Sequence, residues 1–451
     1  MYTIQADDCV LVSYNLHKLK FLLQLTLQYC DKYNVQLSPG KTKLQLYTPN
    51  RSSTDSDYLT AATSLQIDGT PINLVAVTEH VGVLRSIDSN QPHLLKRFSS
   101  HNGALHSVLS AGLARGHRGN PAASLKVEQL YGVPVLLSGT AALVLKQAEY
   151  KMLDSHFKKK IQFLQKLFDK TPDCVVYFLA GSLPASALLH LRQLSLFYMI
   201  CRLPQNILHR IAKYILTCSK DTSRSWFFHI RSLCSQYGLP HPLILLESPP
   251  PKESSKKIIK SKVVDFWEKR LRQTSDLPSL SYFKPDYMSL TTAHPLWTTC
   301  ASNSFEVSKA VIQAKLLSGR YRSDKLLRHF AKDHDGLCKI CDGNCEGTIE
   351  HLLVECVALS EHRQQQFRAL TDRDDISDTS KELINIFSQK STKDFTQLLL
   401  DCSLIPEVIT ASQIDIKILP EIFKFTRTWC FSMHMNRMKL LGRWKKAFYI
   451  G

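Results

Sequence analysis

The stretch Ile4-Gln5-Ala6-Asp7-Asp8-Cys9-Val10-Leu11 places two adjacent aspartates between two short runs of β-prone residues. Such runs around a tight polar pair predict a β-hairpin with Asp7 and Asp8 at its tip. Two neighbouring carboxylates on a rigid turn can hold the divalent ions that activate a 3′-hydroxyl in two-metal chemistry. Aspartates are also ordinary turn residues, so the pair alone does not decide between catalysis and turn formation.

The residues that follow the hairpin predict a small segment of mixed helix and strand. A helix over residues 16–33 is predicted because apolar side chains recur at helical spacing, at Leu16, Leu19, Leu23, Leu27 and Cys30. Ser38-Pro39-Gly40 predicts a turn, and residues 43–47 alternate like a strand. Short strands are predicted from Ile67 to Val83, around Gly69 and Gly82.

From about residue 92 the apolar pattern becomes helical and stays so. The predicted helices cover residues 92–112, 121–150, 151–168, 184–201, 204–218, 262–273 and 304–332. Residues 247–262 are rich in Pro, Ser and Lys, which predicts a linker. After a cysteine-rich segment we expect a helix to about residue 371, and then two or three last helices.

The order of these pieces resembles the C-terminal part of the reverse transcriptase of non-LTR (LINE-type) retrotransposons. The acidic hairpin, a helix and then Ser38-Pro39-Gly40-Lys41-Thr42-Lys43 follow one another as in the palm of that family. Residues 79–84 (EHVGVL) are similar to its primer-grip hairpin, and residues 131–134 (YGVP) and 176–184 (VYFLAGSLP) resemble its thumb and the region after it. Gln5 stands where the family usually has an aromatic residue.

The resemblance implies an RNA-directed DNA polymerase, with RNA and DNA as template and primer. Asp7 and Asp8 would be catalytic carboxylates with Mg²⁺ as cofactor, and Lys41 and Lys43 would lie near the phosphates of the incoming nucleotide. A solvent-facing strand edge accounts equally well for both lysines.

The expected fold class is α+β. It comprises a truncated palm remnant over residues 1–90, a mostly α-helical thumb and connector over 91–246, the linker 247–262, basic helices with a zinc knuckle over 263–371, and a C-terminal helical segment over 372–451.

Polymerases of this family take a further aspartate from the first palm motif, which lies N-terminal to the acidic hairpin together with the fingers. Only six residues precede Asp7 here, so we expect the chain alone to be inactive in DNA synthesis. The alternative is a non-catalytic, host-captured nucleic-acid-binding protein that uses the zinc knuckle and the basic helices.

A second motif is a cluster of cysteines and one histidine. Cys338, Cys341, His351 and Cys356 have the spacing Cys-x2-Cys-x9-His-x4-Cys, and their side chains are ligands that Zn²⁺ prefers. Because residues 351 and 356 are five apart, a helix end or a distortion is needed for them to converge. Cys345 is an alternative to Cys341 as a ligand, and the sequence leaves both assignments open. Residues 349–356 (IEHLLVEC) also look like the motif that follows the polymerase in the resembled family.

The charge balance predicts a polyanionic partner. The chain has 57 Lys and Arg against 39 Asp and Glu, a formal net charge of +18, which favours nucleic acid or an acidic membrane as partner. Five basic residues before the cysteine cluster are predicted to bind nucleic acid, with Tyr321 and Phe330 available for base stacking: Lys315, Arg320, Arg322, Lys325 and Arg328. A basic helix face packed beside a structural zinc site is the alternative.

The sequence predicts neither a membrane span nor a secretory signal. No stretch approaches ~18 uninterrupted apolar residues, so membrane insertion is not expected. Asp7 and Asp8 follow closely after Met1 without a basic region, so no signal peptide is expected and the nucleus or the cytoplasm is the predicted location.

Overall fold

The N-terminal strands pair two by two. The computed structural model of the chain describes residues 2–5, 8–47, 65–108, 110, 119–218, 225–275, 277–329, 334–341 and 344–443. β1 (Tyr2–Gln5) and β2 (Asp8–Leu11) form an antiparallel hairpin with Tyr2 opposite Leu11, which confirms the predicted hairpin.

Three further strand pairs follow within the described ranges. They are β3 (Lys43–Leu44) parallel to β6 (Asn73–Leu74), β4 (Gln66–Ile67) antiparallel to β5 (Thr70–Pro71), and β7 (Val77–His80) antiparallel to β8 (Val83–Ser86). The two antiparallel pairs turn at Gly69 and Gly82, as the sequence predicts. The predicted strand over residues 43–47 is shorter than expected, since only Lys43 and Leu44 enter a ladder.

The first helix, α1 (Leu16–Lys32), confirms the predicted helix over residues 16–33. Asn15 caps it, because the Asn15 side-chain oxygen accepts a hydrogen bond from the His17 N–H at 2.7 Å. The leucines of one helix face pack against a small core formed by Leu44, Leu65, Ile67 and Ile72. The periodicity that predicted the helix is therefore the same periodicity that buries this face.

The chain divides into two compact units. The N-terminal unit comprises Met1–Ser99 and Leu137–Glu149, and the helical unit comprises Ser100–Leu136 and Tyr150–Gly451. The α-helices that follow α1 are α2 (Gln91–Val108), α3 (Pro121–Val127), α4 (Val133–Leu136), α5 (Gln147–Gln165), α6 (Asp173–Ala180), α7 (Ala185–Cys201), α8 (Ile207–Cys218), α9 (Trp226–Gln236), α10 (Pro242–Glu247) and α11 (Lys252–Arg272). They are followed by α12 (Pro295–Thr298), α13 (Ser304–Leu317), α14 (Asp324–Leu327), α15 (Ser360–Thr371), α16 (Asp378–Ser388), α17 (Thr392–Leu400), α18 (Pro406–Ile414) and α19 (Ile418–Leu440).

The helix predicted over residues 121–150 is wrong, because the chain breaks there several times. A π turn over Glu128–Gly132 separates α3 from α4, and a 3-10 turn at Thr140–Ala142 follows. Gly139 adopts a left-handed backbone with φ +75°, and a Cβ at this position would lie 2.6 Å from Val83 Cγ2. A regular helix cannot pass through a residue in that conformation.

The linker predicted over residues 247–262 is also corrected. Helix α11 begins at Lys252, so most of the predicted linker is the first half of a 21-residue helix. Its buried side chains recur every four residues, at Ser255, Ile259, Val263, Trp267 and Leu271, and the helix packs against α7. The composition of the segment suggested a linker, whereas its apolar side chains recur at helical spacing and form a buried face.

The predicted helix over residues 304–332 ends early. Helix α13 stops at Leu317, and Gly319 turns the chain with φ +62°. A Cβ on Gly319 would lie 2.0 Å from the Ser279 carbonyl oxygen, so the backbones meet too closely for any other residue. The short helix α14 then begins at Asp324.

The core of the C-terminal part lies around α19. This helix packs against α13, α15, α16, α17 and α18, and Trp429 at its centre is fully buried. The described residues are mostly helical, as predicted.

Within the described ranges, no single helix is long and apolar enough to cross a membrane. Helices α6 and α7 meet that test only together, and a bend of 60° separates them.

Candidate metal centre and the basic residues around it

A short hairpin presents the first two cysteines of the cluster. The Gly347 N–H donates to the Gly336 carbonyl at 2.9 Å, and the Cys338 N–H donates to the Cys345 carbonyl at the same distance. These two hydrogen bonds fix the register of the hairpin. Cys345 therefore pairs through its backbone with Cys338, while its side chain is exposed.

A π turn presents the other two ligands. The His351 N–H donates to the Thr348 hydroxyl at 3.0 Å, which begins the turn. The Cys356 N–H then donates to the His351 carbonyl at 2.7 Å, a hydrogen bond that spans five residues instead of four. This turn supplies the distortion that the spacing of residues 351 and 356 required.

The four predicted ligand residues come together. The Cys338 and Cys356 sulfurs are 4.0 Å apart, and the Cys341 sulfur is 3.3 Å from His351 Nε2. All four ligand atoms lie within 4.8 Å of one another, so the cluster can hold a metal ion. Tetrahedral Zn²⁺ would place two sulfurs about 3.8 Å apart and a sulfur and a nitrogen about 3.6 Å apart.

The second ligand, which the sequence left open, is Cys341 in this arrangement. Cys345 is exposed and is not a member of the group whose ligand atoms converge. The hairpin register explains the difference, because Cys345 lies opposite Cys338 on the other strand.

Burial sets the protonation of the cluster when no ion is bound. It raises the pKa of the Cys338 thiol, and it raises the pKa of Cys356 to about 12, with the neighbouring cysteines adding to the rise. Burial also lowers the pKa of His351, which keeps the imidazole in the neutral form that binds metals. A bound dication would reverse the preference of the thiols and favour thiolates.

Neighbouring elements hold the cluster in place. The Trp429 indole N–H donates to the Leu353 carbonyl at 3.1 Å, and the Tyr282 hydroxyl donates to Glu350 at 2.7 Å. Both partners belong to the turn that carries His351. These two hydrogen bonds therefore anchor the segment that carries His351 and Cys356 to its surroundings.

A buried ion pair braces the other side of the cluster. Arg437 donates to the Asp324 carboxylate at 3.0 Å, and both side chains are less than a tenth exposed. The Lys325 N–H donates to the Gly347 carbonyl at 3.1 Å, which joins α14 to the hairpin. A cavity of about 10 Å³ lies among Asp324, Arg437 and three of the ligand residues, Cys338, His351 and Cys356. Sequence reasoning missed this pair, because Asp324 and Arg437 are 113 residues apart along the chain.

The predicted nucleic-acid-binding residues divide into buried and exposed sets. Lys315 is 3% exposed, and its ammonium lies 4.6 Å from the centre of the Phe168 ring. Burial, together with the nearby positive charges of Arg322 and Lys166, lowers the pKa of Lys315 to about 8. Lys315 is therefore a packed residue of α13 and is not placed for surface contacts.

The other four predicted basic residues lie in or beside the turn before the hairpin. Arg320 is half-buried, and the exposed set is Arg322, Lys325 and Arg328, here called the cationic turn. The Lys325 ammonium pairs with Glu346 at 2.9 Å.

Of the two aromatic residues predicted to stack on bases, only Tyr321 is described. Tyr321 is buried, and its hydroxyl lies 2.8 Å from His434 Nδ1. Phe330 lies outside the described residues. Tyr321 is therefore not available to stack on bases, whereas the exposed cations of the cationic turn can contact phosphates.

The predicted polymerase residues are only partly described. Asp7 lies outside the described residues, and Asp8 is described only as a backbone residue of β2. Lys41 and Lys43 are exposed, which fits both a phosphate contact and a solvent-facing edge. The four two-stranded pairs of the described residues do not form the larger sheet of a polymerase palm, so the palm remnant stays a prediction.

No family model matches the chain, and no curated protein or solved structure matches it. The case for function therefore rests on the chain's own residues.

Sequence reasoning also missed a cluster formed by two histidines and a buried glutamate. His101 Nε2 lies 2.8 Å from the Glu128 carboxylate, and His101 Nδ1 lies 3.0 Å from His156 Nε2. Glu128 begins the π turn between α3 and α4, so the cluster joins this turn to α2 and α5. Its members are 27 and 28 residues apart along the chain, too far for a local spacing signal.

Proposed function

We propose that this chain binds nucleic acid through its helical unit and that a structural Zn²⁺ stabilises the C-terminal part of that unit. The convergence of Cys338, Cys341, His351 and Cys356 carries the proposal. Three thiolates and one imidazole suit Zn²⁺ among common cellular metals. Four protein ligands leave no open position for a substrate, so the ion would be structural.

The charge distribution supports nucleic acid as the partner. The helical unit has 47 Lys and Arg against 30 Asp and Glu, whereas the N-terminal unit has 10 against 9. Cations in excess on one unit attract a polyanion and release its counterions on binding. The cationic turn adjoins the metal hairpin through the Lys325–Gly347 hydrogen bond.

The resemblance to non-LTR reverse transcriptases adds an expectation about DNA synthesis to this proposal. By that resemblance, Asp7 and Asp8 would bind Mg²⁺ in a polymerase site, and Lys41 and Lys43 would contact the phosphates of the incoming nucleotide. We expect the 451-residue chain alone to extend no primer beyond the level of an Asp7→Ala, Asp8→Ala double variant. Extension above that level would contradict this expectation.

The metal proposal is tested by elemental analysis of purified protein. We expect about one Zn²⁺ per chain. Cys356→Ser and His351→Ala should lose the ion, because each removes a converging ligand. Cys345→Ser is the matched control and should keep it, because the Cys345 side chain is exposed. Metal-free wild type, or full metal in His351→Ala, would overturn the proposal.

The nucleic-acid proposal is tested by titrating a labelled single-stranded RNA at low and physiological salt. We expect roughly micromolar binding that weakens steeply as salt rises. Changing Arg322, Lys325 and Arg328 together to Gln should weaken binding to every sequence. Absence of binding at low salt would overturn the proposal.

A further inference from the structure

Helix α11 has two faces of opposite character. One face is buried against α7, and the other carries seven exposed cations: Lys252, Lys256, Lys257, Lys260, Lys262, Lys269 and Arg270. Neither the metal cluster nor the cationic turn uses any of them. This set is here called the α11 cationic face.

Few carboxylates neutralise this face. Lys256 pairs with Glu253 at 3.5 Å, and both side chains are largely exposed. Glu268 is occupied elsewhere, because it accepts from Arg272 at 3.0 Å and from the Leu290 N–H at 3.0 Å. Among the described residues, Lys252, Lys257, Lys260, Lys262 and Lys269 have no carboxylate within salt-bridge distance. Exposed charges at this density repel one another unless a polyanion covers them.

The helix is held firmly on its buried side. The Trp267 indole N–H donates to the Tyr237 hydroxyl at 3.1 Å. Arg202 donates to the Ser255 hydroxyl at 3.3 Å, and that hydroxyl donates to the Pro251 carbonyl at 2.8 Å. The cations therefore project from a scaffold whose position is fixed before any partner binds.

The composition of the face selects the kind of polyanion. Ile258 is its exposed large apolar residue, so it offers little to insert into a lipid bilayer. Trp267 is buried beneath Arg270, whose guanidinium lies 4.9 Å from the ring, and Phe266 is half-buried. A face without exposed aromatic rings cannot stack on unpaired bases. Its cations can contact phosphates, which are most densely arrayed on a duplex.

We propose that the α11 cationic face binds the phosphate backbone of a nucleic-acid duplex without reading its sequence. The inference rests on the proposed nucleic-acid function for the class of partner. The helix is about 31 Å long at 1.5 Å per residue, which spans about nine base pairs. Lysine side chains grip phosphates as flexible point charges, so affinity depends on salt and not on base identity.

The test compares two variants of equal charge in the full chain. Lys252, Lys257, Lys260 and Lys262 are changed together to Gln, which keeps helix propensity. The matched control changes four exposed cations on other elements to Gln: Lys284, Arg368, Lys393 and Lys417. Circular dichroism and thermal melting check that both variants keep the wild-type fold.

Binding of a labelled 20-base-pair duplex is titrated at several salt concentrations. We expect the α11 variant to lose at least roughly 100-fold in affinity at 0.1 M salt. The magnitude of its slope of log affinity against log salt should fall by about 3.6, because each of the four lost phosphate contacts contributes about 0.9. The control should keep a slope within about 1 of wild type. Equal losses in both variants, or a wild-type slope in the α11 variant, would overturn the inference.

Two further titrations separate this inference from the proposed function. Wild type that binds the single-stranded RNA but not the duplex overturns the inference alone. Wild type that binds neither overturns both. Binding to phosphatidylserine vesicles in place of the duplex would assign the face to a membrane surface and overturn the inference.

Discussion

The two compact units of this chain differ in how completely their helices are used. In the N-terminal unit, α1 packs one face on a four-residue core and leaves a second apolar row exposed, at Phe21, Leu25, Tyr29 and Tyr33. In the helical unit, α19 buries Trp429, Cys430 and Met433 completely. A small unit buries less of its apolar surface than a large one, so its fold depends on fewer contacts.

Charge follows the same division. The N-terminal unit is almost neutral, whereas the helical unit carries nearly all of the positive excess. An acidic motif in the first unit and a metal cluster in the second are equally visible in the sequence. Only the metal cluster has all of its predicted residues described and brought together, and this difference directs the functional proposals to the helical unit.

The largest expected effect is metal removal, which should affect the helical unit only. Zinc binding contributes on the order of 10 kcal/mol in small zinc domains, so a chelator should open the hairpin and the π turn. Hydrogen exchange should lose protection at residues 336–356 and keep it in α1. Zinc added back in excess should restore protection. Equal loss of protection in both units would show that the division is wrong.

A smaller effect is expected from the buried ion pair beside the cluster. Arg437→Met leaves the Asp324 carboxylate buried without its cation, which should cost about 3–5 kcal/mol of unfolding free energy. Adding Asp324→Asn should recover part of that loss. Lys439→Met, an exposed cation on the same helix, is the control and should change stability by less than about 0.5 kcal/mol.

Urea denaturation of zinc-loaded protein measures these changes. If Arg437→Met and Lys439→Met are indistinguishable, the ion pair does not brace the cluster.

The smallest effect is expected in the N-terminal unit. Phe21→Gln and Leu25→Gln should each change stability by less than about 0.5 kcal/mol, because both side chains are about half exposed. Ile67→Ala in the same unit should cost about 2–4 kcal/mol, because Ile67 is fully buried. Exchange protection of α1 reports all three changes. A loss of more than about 1 kcal/mol of stability in Phe21→Gln would mean that the exposed apolar row of α1 is covered by another surface in solution.

Predictions from the sequence were correct where the spacing of a few residues was enough to define a structure. Leucines at helical spacing gave α1, and ligand spacing gave the four residues of the metal cluster. Predictions failed where contacts between residues distant in sequence determine whether a side chain is buried. Lys315 reads as a surface cation, yet the Phe168 ring covers it.

The composition of residues 247–262 concealed a regular pattern. Proline and serine at its start suggested a linker, although Ser255, Ile259 and Val263 already repeat every four residues. The breaks at Gly139 and Gly319 could not be foreseen, because each depends on a backbone or side chain distant in sequence.

The π turn that carries His351 and Cys356 bears on how strictly the length of the metal-binding motif is fixed. A helix can absorb the gain or loss of one codon by changing between α and π hydrogen bonding, and the two side chains still face the same ion. Descendants with three or four residues between histidine and cysteine can therefore share one coordination geometry. A sequence search that requires four residues between the histidine and the last cysteine would miss chains with the shorter interval. A scan that allows both lengths should recover them.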